Sequence, residues 1–335
     1  MPGPAPDDAR VGGRYHYRTT AEEVLNYELG APTGGLEGKV ILISGGNSGL
    51  GKEAARVFAK RGAKVVITAR NITEGQEIAA QLSSEAQAAG SSGSAIAMKL
   101  KLDCLNGVRE FVKEYEATGL PIHYLINNAG IMNLPQREVT KDGFEKQFGV
   151  NHVGPFLLTN LLLPIVVKSA PARIVVVSSI AHVRGPVVFD DIHFEKSYEG
   201  WTAYGQSKTA NILFAMELNR QLKGTGVEAF SLHPGAILTG LQRYMPEQEQ
   251  RELFFEEGQP KFWFKDIYEG TATHAYAVTA KELEGQGGAY LEDAGVTEGR
   301  HEQAKDAEAA KRLWKVTNEL IKEDFQWEGK FGKEA

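Results

Sequence analysis

From Gly38 onward, short apolar, β-branched runs alternate with longer stretches whose apolar positions recur at helical spacing. The short runs fall at 39–44, 64–69, 95–101, 122–126, 173–178, 227–232 and 288–292. Helical periodicity occupies 49–61, 73–89, 105–117, 141–169, 203–223 and 269–282. Seven short apolar strands joined by helices predict an α/β fold of doubly wound Rossmann type: a seven-stranded parallel sheet with helices on both faces. There is no internal repeat and no linker of domain size, so residues 36–293 are read as a single domain.

The flanks differ in pattern. Residues 1–14 are rich in Pro, Gly and charge without periodicity and read as a flexible tail. Residues 15–35 hold "TTAEEVLNYELG", where Thr20 and Glu23 have capping-box spacing and Gly30 can end a short helix. Residues 294–335 form a polar extension with one amphipathic helix, expected to dock through Leu313, Trp314, Val316 and Leu320.

Composition narrows the function classes. A net charge of -6 provides no general attraction for nucleic acid or anionic lipid. One cysteine, Cys104, excludes an internal disulfide framework and a cysteine-based metal site, which favours a reducing, cytoplasmic setting. The longest apolar runs, such as "FLLTNLLLPIVV", are interrupted and too short for a membrane span. The eight histidines show no H-x-x-x-H pair, and no metal is called for.

The first strand runs into "SGGNSGLG", whose glycines at 45, 49 and 51 follow G-x-x-x-G-x-G spacing. Small residues there let the backbone turn tightly and approach a pyrophosphate, and the N-terminus of the following helix supplies free N–H groups and partial positive charge. The loop residues Gly45, Asn47, Ser48, Gly49, Leu50 and Gly51 are therefore assigned to a dinucleotide. The second strand ends in Ala69 and Arg70 where an NAD site would carry an acidic residue for the ribose hydroxyls. A planar guanidinium suits a 2′-phosphate, so the cofactor expected is NADP(H).

Tyr204 and Lys208 stand four apart in "AYGQSKTA", on one face of a predicted helix. A carbonyl that accepts hydride develops alkoxide charge and needs a proton donor. Lowering a tyrosine pKa by two to three units takes roughly 3–4 kcal/mol of preferential phenolate stabilisation. A lysine charge about 4–5 Å away supplies that much at an effective dielectric near 20.

With "NNAG" at 127–130, "VNHVGPF" at 150–156, "VVSSIAH" at 176–182 and "HPGAILTG" at 233–240, these motifs stand in an order that resembles the short-chain dehydrogenase/reductase family in its compact form. The resemblance is greatest to the retinol dehydrogenase and WW-domain oxidoreductase branch. It implies catalytic roles for Ser179 (substrate oxygen), Tyr204 (proton donor), Lys208 (tuning and nicotinamide ribose) and Asn151 (a water-linked proton relay). It also implies cofactor contacts at Asp103 (adenine), Asn128, Ala129 and Gly130 (adenine ribose), Pro234 and Gly235 (nicotinamide wall), and Ile237 and Thr239 (carboxamide and pyrophosphate). Asp103 also reads as a helix N-cap. Homodimers or homotetramers are common in such a family.

Departures from the family pattern are informative. Ser44 stands where threonine is usual but keeps the hydroxyl. Two insertions, one between Ser179 and Tyr204 and one after Thr239, carry Phe189, Phe194, Tyr198 and Trp201, then Tyr244, Phe254, Phe255, Phe262, Trp263 and Phe264. They read as a lid over a bulky apolar or aromatic substrate, as core filling, or as an oligomer interface. The function expected is NADP(H)-dependent hydride transfer between nicotinamide and a carbonyl or secondary alcohol. The alternatives are a biosynthetic reductase of an aromatic tautomer or imine, and a non-catalytic NADP(H)-sensing or scaffold protein.

Overall fold

The computed structural model describes residues 14–256, 259–260 and 263–331. Phe262 and all but the last residue of the expected tail lie outside them. Strands β1 (Val40–Ile43), β2 (Lys64–Ala69), β3 (Ser94–Lys99), β4 (Tyr124–Asn127), β5 (Ala172–Val177), β6 (Val227–His233) and β7 (Tyr290–Glu292) are parallel. The sheet has one strand more than the pattern predicts. β8 (Gly295–Thr297) pairs antiparallel with β7, giving the order β8-β7-β6-β5-β4-β1-β2-β3. Its three residues are too few to leave a periodic signal, and the boundary expected at 293 falls inside the β7–β8 turn.

Strand residues alternate between two cores, as a pleated strand requires. Leu42, Ile174 and Val176 face one core, built with α4 (Leu105–Ala117), α5 (Lys146–Lys168) and α6 (Gly200–Gln221). Ile43, Val175 and Val177 face the other, against α2 (Gly49–Lys60), α3 (Ile72–Ala88) and α8 (Ala272–Thr279). A short helix, α7 (Glu247–Phe254), lies in the insertion after Thr239. Helix α5 is long and apolar enough to cross a membrane by composition, but 78% of that window is buried inside the protein. It is a core helix.

Both extensions are part of the packed molecule. Helix α1 (Ala21–Leu29) has its Thr20–Glu23 capping box, ends in Gly30 at φ 75°, and buries Val24 and Leu25. The buried Arg61 at the end of α2 holds this segment by donating to the Ala31 carbonyl and, at 2.6 Å, to Asn26 Oδ1. At the other end α9 (Ala307–Ile321) buries Leu313 and Trp314 against α5 and α6, with Val316 and Leu320 partly buried beside them. The Trp314 ring lies 4.9 Å from Phe156 and 5.9 Å from Phe214.

Candidate active site

A cavity of about 970 Å³ opens at the carboxyl ends of the parallel strands, on either side of β1 and β4, where the chain reverses its direction across the sheet. One end is the glycine loop. Gly45 and Gly49 have φ of 67° and 53°, backbone that side chains rarely adopt. A Cβ on Gly51 would stand 2.4 Å from the Gly45 carbonyl oxygen and 2.5 Å from Asn128 Nδ2. Gly51 is therefore needed for loop packing; it does not line the cavity, unlike Gly45, Asn47, Ser48, Gly49 and Leu50. The loop is fixed to the sheet by Ser44, whose hydroxyl accepts the N–H groups of Asn128 and Ala129 at 2.9 and 3.0 Å. Serine suffices because both bonds need only the oxygen.

The Asn128 amide donates to the Ser44 and Gly45 carbonyls, so its side chain buttresses the loop. Asn128, Ala129 and Gly130 line the cavity. Asp103 and Arg70 also face it, Arg70 being exposed at the end of β2. The N-cap reading of Asp103 is corrected. Cys104 occupies that position without a side-chain bond, and Asp142 Oδ2 accepts the Leu105 N–H at 2.8 Å instead. A closer loop partner, brought in from another segment, takes over the cap.

Ser179, Tyr204 and Lys208 line the middle of the cavity. Glu199 opens α6 by accepting the N–H groups of Trp201 and Thr202, which sets the helix phase that turns Tyr204 and Lys208 inward. Ser178 belongs to the framework, donating to the Lys208 carbonyl at 2.8 Å. Ser179 accepts the Ala181 N–H at 3.1 Å, and its hydroxyl favours the ionised form of the Tyr204 phenol. Lys208 Nζ donates to the Val177 carbonyl at 3.0 Å and lies 5.5 Å from the Tyr204 ring centre.

These two groups do not tune each other as the spacing alone suggests. Burial pushes Tyr204 up to about 12, with the Ser179 hydroxyl opposing, and burial brings Lys208 down to about 8. Desolvation of both outweighs their attraction because the ammonium is directed at a carbonyl rather than at the phenol.

Asn151 does not reach the cavity surface. Its side chain accepts the Ile131 N–H at 2.8 Å and donates to the Ile131 carbonyl and Ser207 hydroxyl, each at 2.9 Å. It lies in a π-helical turn, Gly149–Val153, where the ordinary helix ladder slips by one residue. Such a turn leaves carbonyls without their usual partners. A Cβ on Gly130 would lie 3.2 Å from Asn151 Oδ1 and 3.6 Å from Lys208 Nζ, so these residues are close packed.

The loop after β6 completes the site. Pro234, Gly235, Ile237 and Thr239 line the cavity, and Thr239 caps the following turn through the Leu241 N–H. His233 is structural: it is buried, held down to about 3 by burial and then by the charge of Lys265, and accepts the Ile180 N–H at 3.2 Å.

The insertions divide between cavity wall and filling. Trp201, Tyr244, Phe254 and Phe264 line the cavity. Phe194 is buried with Tyr198 edge-on beside it, and Phe189 lies under Arg312 from α9. A latch that no sequence motif signals joins the insertions to the loop after β4: Glu249 Oε1 accepts from Asn133 Nδ2 at 2.6 Å and from Trp201 Nε1 at 3.2 Å. Asn133 has φ 48°, and no local spacing links these three residues. Among the described residues no group of three or more potential metal ligands converges.

A glycine cradle beside a helix N-terminus, opening on a half-buried serine and a buried tyrosine and lysine, defines a dinucleotide-dependent oxidoreductase of Rossmann type. Residues 39–250 match the short chain dehydrogenase family, and the chain belongs to that family, on its retinol dehydrogenase-like branch. It is 40% identical over 293 residues to mouse (Mus musculus) retinol dehydrogenase 12, covering 88% of this chain and 89% of the relative. It is 39% identical over 313 residues to human (Homo sapiens) retinol dehydrogenase 14, covering 91% and 92%. Among solved structures, an uncharacterized protein from Mycobacterium paratuberculosis superposes with a TM-score of 0.68 at 32% identity, covering 87% of this chain and 96% of that one.

Proposed function

We propose that the protein is an NADP(H)-dependent oxidoreductase that interconverts a carbonyl compound and an alcohol of a bulky apolar substrate. One observation carries this reading: a single cavity holds Ser179, Tyr204 and Lys208 at its centre and, at the end of β2, an arginine in place of an acid. The cradle formed by Gly45 and Gly49, with Ser48 at the start of α2, fits a pyrophosphate. Arg70 fits a 2′-phosphate. A bound nicotinamide would supply or accept the hydride at the carbonyl carbon.

In the reductive direction the Ser179 hydroxyl holds the substrate oxygen next to the Tyr204 phenol. Tyr204 donates its proton as negative charge builds on that oxygen; a phenol held near 12 is fully protonated and ready to do so. Lys208, whose ammonium lies 5.5 Å from the phenol ring centre and is directed at the Val177 carbonyl, adds only a weak attraction for the phenolate left behind. Asn151, with its side chain committed to Ile131 and Ser207, contributes through the backbone of the π turn, the route by which a water-linked relay can return the proton. The apolar wall of Met132, Trp201, Leu253, Phe254 and Phe264 excludes water around these groups and selects an apolar substrate. The relatives named for retinol support an apolar alcohol of that kind, with its carbonyl counterpart, as the substrate class.

The test follows NADPH and NADH oxidation optically against apolar aldehydes and ketones, with Tyr204→Phe in parallel. Turnover that favours NADPH and falls about 10²–10⁴-fold in Tyr204→Phe, with cofactor binding retained, supports the reading. Turnover undiminished in Tyr204→Phe refutes the proton-transfer role.

A further inference from the structure

The wall formed by the loop after β6 lies on a buried charge. Lys265 has a side chain with no exposure, and its Nζ approaches Asp293 Oδ1 to 2.5 Å. This is an ion contact rather than an angled hydrogen bond, and among the described residues the ammonium has no acceptor in hydrogen-bonding geometry. The Tyr17 ring from the N-terminal extension covers it, with the ring centre 4.7 Å from Nζ. On the cavity side, the Lys265 N–H donates to the Ala236 carbonyl at 2.9 Å, and Lys265 bridges Ile237 in parallel. A Cβ on Gly235 would stand 2.7 Å from Lys265 Cδ, so the lysine stem touches the underside of the loop.

Each partner is held in place at some cost. Asp293 and Ala294 form the two-residue β7–β8 turn with φ of 51° and 53°, positions usually filled by Asn and Gly. Tyr17 donates its hydroxyl to the Trp263 carbonyl, and Arg18 donates at 2.9 Å to the Phe264 carbonyl and at 2.9 Å to Glu269. Phe264 itself lines the cavity. A buried ion pair is a poor source of stability, because apolar residues of the same shape commonly do as well or better. Left-handed backbone at non-glycine residues, beside a site, indicates a constraint that the fold maintains.

We infer that Lys265 is a positioning residue for the nicotinamide half of the cofactor site: with Asp293 beneath it and Tyr17 above it, it fixes the Gly235–Ile237 wall and ties it to the aromatic insertion. The N-terminal extension thereby takes part in the site through Tyr17 and Arg18. The inference rests on the dinucleotide reading above and deepens it.

The two halves of the cofactor separate this role from a general loss of structure. Binding of NADPH is followed by the fluorescence of its nicotinamide, and binding of adenosine 2′,5′-bisphosphate by calorimetry, in wild-type protein, Lys265→Met and Tyr17→Leu. Lys265→Met is expected to weaken NADPH at least tenfold, with loss of the nicotinamide fluorescence change, while adenosine 2′,5′-bisphosphate binding stays within twofold. Tyr17→Leu, which leaves the ion pair in place, moves NADPH in the same direction by about threefold and serves alone if Lys265→Met does not fold. Equal weakening of both ligands, or no change in either, overturns the inference. Wild-type protein that binds neither ligand overturns the dinucleotide reading itself, and this inference with it.

Discussion

Four histidines, His152, His182, His233 and His274, are buried and held below their ordinary range by burial, and the molecule should register this on mild acidification. His152, His233 and His274 are 1%, 6% and 0% exposed, and burial holds them down to about 3, 3 and 4. In the unfolded chain each returns to about 6.5, so below that pH the unfolded state binds the extra proton and stability falls as pH falls. Between pH 7.5 and 5.5 each contributes a loss of about 1.4 kcal/mol, and the three together about 4 kcal/mol. Glu145 and Glu292 act in the opposite sense, since burial raises both and the folded state accepts their protons more readily. A difference between variants removes that contribution. Among the described residues neither ring nitrogen of His274 makes a hydrogen bond of good geometry, the Gly270 backbone interacting with it only weakly, so leucine can replace it at little polar cost. Urea unfolding of wild type and His274→Leu at both pH values should show the variant's relative stability rising by about 1.4 kcal/mol at pH 5.5. A relative stability unchanged between the two pH values would refute the claim that His274 is held neutral.

Other expected outcomes probe the cradle, the cofactor choice and the C-terminal extension. Gly51→Ala places a methyl 2.4 Å from the Gly45 carbonyl and should cost about 1–3 kcal/mol of stability and weaken dinucleotide binding, both measurable by melting with and without NADPH. Arg70→Gln should lower kcat/KM with NADPH at least tenfold and leave NADH nearly unaffected, as steady-state kinetics with both cofactors would show. Trp314→Ala should cost about 3–5 kcal/mol in urea unfolding, since its ring fills the space between Phe156 and Phe214; a cost below 1 kcal/mol would mean that α9 is only loosely attached.

Much of this site could be read in advance because its chemistry lies at fixed local spacings. The glycine loop and Arg70 each follow a strand directly, and Tyr204 and Lys208 are one helical turn apart, so their placement follows from the elements beside them. The sequence was silent where partners come from distant segments. The Asp142 cap on α4, the Glu249 latch to Asn133 and Trp201, and the Lys265–Asp293 pair each join residues whose separation carries no periodic signal. Charge effects were also hard to foresee. Spacing placed Lys208 on the same face as Tyr204, but the fold directs its ammonium at the Val177 carbonyl. Residue types could not divide the aromatic insertions between wall and core, because a phenylalanine suits either place equally well.

Helix α6 bears Tyr204 near its first turn and Arg220 near its last, where Arg220 pairs with Glu328 of the C-terminal tail at 2.8 Å. Sixteen residue steps at about 1.5 Å each put some 24 Å between them along one rod. Trp314 presses on the same helix midway, through Phe214. The proposed proton donor is thus mounted on a beam whose far end and flank are clamped by residues that follow the sheet in the chain. A nascent chain can complete every described strand of the sheet and still lack the brace that holds this helix steady.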